Sequence, residues 1–283
     1  MTALDLDLPA LAATHDIITI GMHADDVRRR AHGNRTTFVR VADVPAAPGG
    51  PTYIPPAAGE VRVVGVAASR AEAIARVAEV RAMAGGRPLS AFSLGDLESL
   101  SVREQVTLRT LLEELCDAGL ELIAEAPFDR LEEPRRAIEE VNIAGLAVAR
   151  LTVDQIPAVE PLVWLQQVAA LQRDVAVLRS FAPLPRRVNP EVPSTGYEDV
   201  KRIGLARLVV DNIPSIQVDW ALYGPKLAQV ALTMGADDVD AVSADDESSH
   251  GRRRAPLEDI RRNIRAAGFE PVERNGRYES VTR

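Results

Sequence analysis

Cysteine is nearly absent from this chain. Cys116 stands alone among 283 residues, so no disulfide can form within it. Histidine is scarce as well. His15, His23, His32 and His250 are scattered, without the spacing a zinc site needs, and no Ser-His-Asp or Cys-His set can be read from their positions. Aromatic residues make up 4% of the chain, which leaves alanine, valine, leucine and isoleucine to fill the core and suits a parallel sheet covered by helices. An excess of positive charge is missing too. The formal charge is -8 and the pI about 5.2, a balance that argues against a nucleic-acid binder. The basic run Arg252-Arg253-Arg254 follows the acidic Asp245-Asp246-Glu247, which offsets it locally. No window approaches the roughly 20 apolar residues of a membrane span. The opening MTALDLDLPALAATHD has neither a basic region nor an unbroken apolar stretch, so it does not read as a secretory signal. A cytoplasmic protein is expected.

What is present is a rhythm. The short apolar runs VRVVGVA (61–67), LSAFSLG (89–95), LELIAEAPF (120–128), LAVARLT (146–152), VAVLRSFAPL (175–184) and SIQVDWAL (215–222) read as strands. Between them the spacing predicts helices in SRAEAIARVAEVRAMAGG, EEPRRAIEEVNIAG and AVEPLVWLQQVAALQRD. It predicts one more in SLSVREQVTLRTLLEELCDAGL, opened by Ser99 or Ser101 and stopped at Gly119. Such alternation with short connections means βαβ units and a parallel sheet. With a strand at 36–42 in front and another near 238–243, about eight units are present. Eight close naturally into a TIM-type (β/α) barrel; an open doubly wound sheet is the alternative. No glycine-rich turn follows the first strand, so a dinucleotide site has no support. A single domain over 1–283 is expected, with a helical segment to 35, the barrel over 36–242, and a polar loop, helix and extended tail over 243–283. Residues 43–60 are expected as an irregular loop, because Pro45, Pro48, Pro51, Pro55 and Pro56 oppose a helix. Residues 186–201 form a long Pro/Gly-containing loop of the kind that often carries function.

The most specific stretch is GLARLVVDNIPSIQVDWALYGPKLAQVALTMGADDVDAV (204–242). Its Ala206-Arg207, Asp211-Asn212-Ile213-Pro214, Trp220, Gly224, Ala228-Gln229 and Gly235-Ala236-Asp237-Asp238, with the tail IRRNIRAAGFEPVERNGRYE, resemble the C-terminal half of a group of radical S-adenosylmethionine enzymes. These are the aminofutalosine synthases and dehypoxanthine futalosine cyclases of the futalosine route to menaquinone, with deazaflavin-forming synthases as distant cousins. HADDVRRRAHGNRTTFVR (23–40) is similar to the helix and first strand of that group. The resemblance implies a barrel in which a CxxxCxxC loop after the first strand holds a [4Fe–4S] cluster and S-adenosylmethionine. Here that loop reads ADVPAAPGGPTYIPPAAGE, without cysteine. Cluster ligation needs several thiolates. This chain alone is therefore expected to hold no [4Fe–4S] cluster, to perform no radical chemistry, and not to bind S-adenosylmethionine. After the second strand, where the group has a glycine-rich acidic turn, the sequence reads VVGVAASRAE. Cys116 reads as a small core residue among leucines.

Barrel chemistry sits at the C-terminal strand ends. Four strands carry a charge there within an apolar run: Glu125, Arg150, Arg179 and Asp219. Charges in buried strands are paired or line a wet cavity, and the pairs Glu125–Arg150 and Arg179–Asp219 are expected. They plug the space a ligand once filled, or they form a pocket whose arginines take a carboxylate or phosphate. Ser93, Asp129, Asp154 and Ser180 are expected at or just past strand ends. Trp220 stacks on a ligand or packs in the core. Asp237 and Asp238 read as a helix-to-strand turn rather than a metal site. Three functions stay open. The first is a cluster-less, non-radical binding or regulatory protein, a pseudoenzyme whose partner is a small anion or an authentic enzyme of the group. The second is an iron-independent lyase or hydrolase acting on an anionic aromatic or nucleoside-type substrate. The third is a barrel without ligand.

Overall fold

The helices begin where side chains can close their free N–H groups. Asp7 caps α1 (Leu8–Ala13), and Asp16 caps α2 (Ile17–His32) by accepting from Ile18 and Thr19 at 3.0 and 3.1 Å. Ser69 caps α3 (Arg70–Met83). The single helix expected over 99–120 is in fact two, α4 (Leu94–Arg103) and α5 (Leu108–Asp117). Gln105 between them lies at φ 56, a left-handed conformation no helix can carry through, and Thr107 caps the second at 3.1 Å from Thr110 N. Ser99 and Ser101 lie inside α4 instead. Proline opens both α6 (Pro134–Ile143) and α7 (Pro161–Val175). Thr195 caps α8 (Gly196–Val209), and Asp219 caps α9 (Trp220–Thr233), which kinks at Gly224 (φ 73, ψ 172) before Pro225. The last helix is α10 (Pro256–Ala266).

The strands are β1 (Arg35–Pro45), β2 (Glu60–Val64), β3 (Leu89–Ser93), β4 (Leu122–Pro127), β5 (Ala147–Val148), β6 (Leu151–Val153), β7 (Ser180–Pro185), β8 (Ser215–Asp219), β9 (Asp238–Ser243) and β10 (Glu270–Arg274). This computed structural model describes residues 6–49, 53–157, 159–187, 195–245 and 256–281. The sheet order is β10-β1-β2-β3-β4-β6-β7-β8-β9, and β1 also pairs with β9, so the sheet closes as the expected TIM-type barrel. β5 pairs with β4 as well, so β5 and β6 are two pieces of one position, interrupted at Ala149 and Arg150. The first strand runs three residues past 42, to Pro45. The sixth strand starts at Ser180, five residues later than its apolar run: α7 reaches Val175, and Ala176 ends it at φ 53. No helix among the described residues is long and apolar enough to cross a membrane.

By internal contacts the chain falls into two units. One comprises Met1–Phe38, Thr152–Val242 and Leu257–Val272. In it α2 packs on α8, and Gly204 permits the approach: a Cβ there would lie 2.6 Å from Ile20 Cγ2. Beneath this contact lies a buried polar network. Arg28 donates to the carbonyls of Ala236 (3.0 Å) and Arg35 (2.9 Å) and to Thr36 Oγ1 (2.6 Å), and stacks 3.7 Å over Phe269. Arg207 donates to Gly235 O at 2.8 Å and to the Asp237 carboxylate, which also accepts from Ser215 Oγ (2.6 Å) and Ile216 N (2.8 Å). Burial lowers Arg28 to about 10, with the Asp237 charge opposing, so it stays cationic at neutral pH. Asp238 accepts from Thr37 Oγ1 (2.5 Å) and Gln217 Nε2 (2.7 Å).

The other unit comprises Val39–Leu151, Ser243–Pro256 and Glu273–Arg283. Its tail is tied along the strand starts. Gly276 N donates to Gly59 O at 3.1 Å, Arg277 Nε to Glu121 at 2.8 Å, and Arg40 Nε to Glu273 at 2.9 Å. Tyr278 OH donates to Ala149 O at 3.1 Å.

Candidate functional site

In the unit that holds β6 to β9, the C-terminal strand ends carry arginine–acid pairs. Where β7 ends, the backbone N–H groups of Arg186 and Arg187 donate to Val153 O and Asp154 O at 2.9 and 2.8 Å, so these residues run beside the end of β6. Their side chains then diverge. Arg187 Nε donates to Asp154 Oδ1 at 2.9 Å and Nη2 donates to Oδ2, the forked geometry that suits a guanidinium and a carboxylate. Arg186 Nη1 donates to Asp219 Oδ2 at 2.6 Å, while Oδ1 of the same carboxylate accepts from Leu222 N at 2.9 Å and caps α9. Tyr223 OH donates to Pro185 O. Burial, reinforced by the Asp199 charge, pushes this phenol far above its ordinary range, so it acts as a donor and not as a base. Arg202, lowered chiefly by burial, pairs with Asp199 at 3.2 Å.

In the other unit, Glu125 on β4 lies 3.9 Å from Arg150, within the reach expected of that pair. Ser93 closes β3 in register with Glu125, and its Oγ is buried with no partner among the described residues. Phe92 just before it lies at φ 58, a strained value for an aromatic residue, and interrupts the regular alternation ahead of Ser93. Asp129 is exposed in the turn after β4, and Asp154 follows β6 directly.

Three expected positions are corrected. Arg179 is exposed and precedes β7, at the end of the strand opposite to the one where chemistry is expected, and the partner of Asp219 is Arg186. Ser180 opens β7 instead of closing it. Trp220 is half-buried as the first residue of α9, because β8 stops at Asp219. The sequence reading missed Arg186, Arg187 and Tyr223. The adjacent arginines directly behind the run FAPLP were the available signal for the first two.

The [4Fe–4S] cluster implied by the resemblance does not fit these residues. The chain's one cysteine, Cys116, sits half-buried on α5, and its Sγ would lie 3.7 Å from a Cβ at Gly145. The described residues after β1 include the buried Ala46, Ile54, Ala57 and Ala58. Arg76 of α3 donates there to the carbonyls of Pro45 (2.8 Å) and Gly49 (2.7 Å). Among the described residues no group of three or more His, Cys, Asp or Glu could hold a metal ion. Asp237 and Asp238 are engaged by Arg207, Thr37 and Gln217 as described above.

The fold is that of the (β/α) barrel proteins. The solved structure of methylornithine synthase superposes with a TM-score of 0.66 at 13% identity, covering 96% of this chain and 94% of that one. Residues 180–283 match the family described as the CofH/MqnC C-terminal region. Aminodeoxyfutalosine synthase of Streptomyces coelicolor is 40% identical over 92 residues, 30% of this chain and 24% of that enzyme. Cyclic dehypoxanthine futalosine synthase of the same organism is 26% identical over 187 residues, 60% of this chain and 47% of that enzyme. The chain is thus related to the radical S-adenosylmethionine enzymes of the futalosine group, and it spans less than half the length of these two curated relatives.

Proposed function

We propose that this chain is a non-radical, ligand-binding relative of the futalosine-group enzymes. One observation carries the reading. Its single thiol lies on the outer helix α5, while the loop after β1 is tied to a buried guanidinium, so three thiolates cannot gather where a cluster would need them. The arginines at the strand ends support a small anionic ligand. The Arg187 side chain, paired with Asp154, is 61% exposed, so this guanidinium presents positive charge to solvent at the strand ends, where a carboxylate can approach it.

Anaerobic reconstitution with iron and sulfide, followed by gel filtration and a visible spectrum, tests this. The expected result is no stoichiometric iron and no broad absorption near about 400 nm, the region where thiolate-bound clusters absorb. A stoichiometric cluster on the monomeric chain would overturn it.

A further inference from the structure

On the outer face of the unit that holds β1 to β5, the turn between α4 and α5 opens a groove against α6. Its volume is about 710 Å3, inside the range of small-molecule sites. Its apolar lining comprises Val102, Val106 and Leu108 on the side of the turn and Ala137 on α6. Val102 is 79% exposed, a large apolar surface left to water at this position. The groove also holds four glutamates and two arginines. The arginines are spoken for: Arg109 bridges α5 to Glu140 of α6 at 2.5 Å, and Arg136 lies 3.5 Å from Glu133. That leaves Glu98 and Glu132, which have no cationic partner among the described residues.

We propose that this groove binds an organic cation with an apolar body, an aryl- or alkylammonium or guanidinium. The cation would sit between Glu98 and Glu132, and the body against Val102, Val106 and Leu108. Both halves of the ligand answer a feature of the groove. Two neighbouring carboxylates without counter-charge attract a cation and repel an anion. The apolar wall gains only if carbon covers it. A bare metal ion satisfies neither condition, because two carboxylates fall short of the oxygens a hard cation collects. Burial raises the Glu98 carboxyl, the Glu132 N–H opposes this, and the Glu132 charge adds to the rise. A cation seated there would hold Glu98 ionised.

The proposal does not depend on the strand-end site or on the question of a cluster. Titration calorimetry at neutral pH with phenethylamine, phenylacetate and methylammonium separates its parts. Phenethylamine should saturate one site, with phenylacetate and methylammonium at least about tenfold weaker. Glu98→Gln and Glu132→Gln should each weaken the amine by about tenfold, the size expected for one charge-assisted contact. Val102→Ser should weaken the amine and leave methylammonium unchanged. Nuclear magnetic resonance shifts at Val102 and Leu108 should move with the amine. Equal binding of phenylacetate, an affinity unaffected by both glutamate variants in folded protein, or no saturation by the amine would each overturn the proposal.

Discussion

Replacing Arg207 with leucine takes from Asp237 its closest cation. Both side chains are almost wholly buried, and the carboxylate would keep Ser215 Oγ and Ile216 N as donors, with His32 Nε2 at 3.5 Å. Breaking a buried pair from one side costs about 3–5 kcal/mol. Urea unfolding of Arg207→Leu should show a loss of that size, and a midpoint within error of the parent would mean that water reaches Asp237. Glu98 gives the opposite sign. Its raised folded value means that its contribution to stability is complete below the unfolded carboxyl value of about 4.3 and is lost as the pH rises through the folded value. Glutamine does not ionise. Glu98→Gln should therefore melt higher than the parent at pH 7, and the difference should vanish as the pH falls toward about 4. A difference that is constant across this range would place the effect elsewhere than in the charge.

At the scale of elements, the loop after β1 depends on α3. Arg76 is buried and reaches two carbonyls 31 and 27 residues away in sequence. A lysine has one ammonium and cannot span both. Arg76→Lys should cost about 1–3 kcal/mol, the order of a buried polar group left unsatisfied. It should also open the loop to limited proteolysis before the rest of the chain; cleavage first at another site would refute the anchoring role. Most strand positions were legible because parallel strands buried on both faces read as continuous apolar runs. The sixth was misplaced for a local reason. VAVLRSFAPL is apolar from Val175, but its first residue belongs to α7, and the helix ends on Ala176 in a left-handed turn where a glycine would have announced the stop. Gln105 hid the break between α4 and α5 in the same way. The error at β7 then moved the candidate site. Arg179 and Ser180 were assigned to the wrong end, while Arg186, the residue directly after the strand, took the role of partner to Asp219. Glu125–Arg150 was legible because the runs LELIAEAPF and LAVARLT coincide with adjacent strand positions, even though Arg150 falls in the interruption between β5 and β6.

At the scale of the whole molecule, the residues that carry the family likeness at Gly235-Ala236-Asp237-Asp238 lie where β9 begins and are occupied by Arg28, Arg207, Thr37 and Gln217. They serve architecture, which is why so specific a sequence stretch says little about a ligand. The two units also share an arrangement in time. Each is assembled from an early and a late part of the chain. A ribosome that has finished β9 has yet to deliver Phe269, on which Arg28 stacks, and Glu273, which neutralises Arg40. Neither unit can complete itself before β10 is made, and both should reach protease resistance together, once β10 has cleared the exit tunnel. Released chains ending after β9 should be cut readily under pulse proteolysis, whereas released chains extended through residue 281 should resist. Early protection of the first-made strands would show that one unit matures alone.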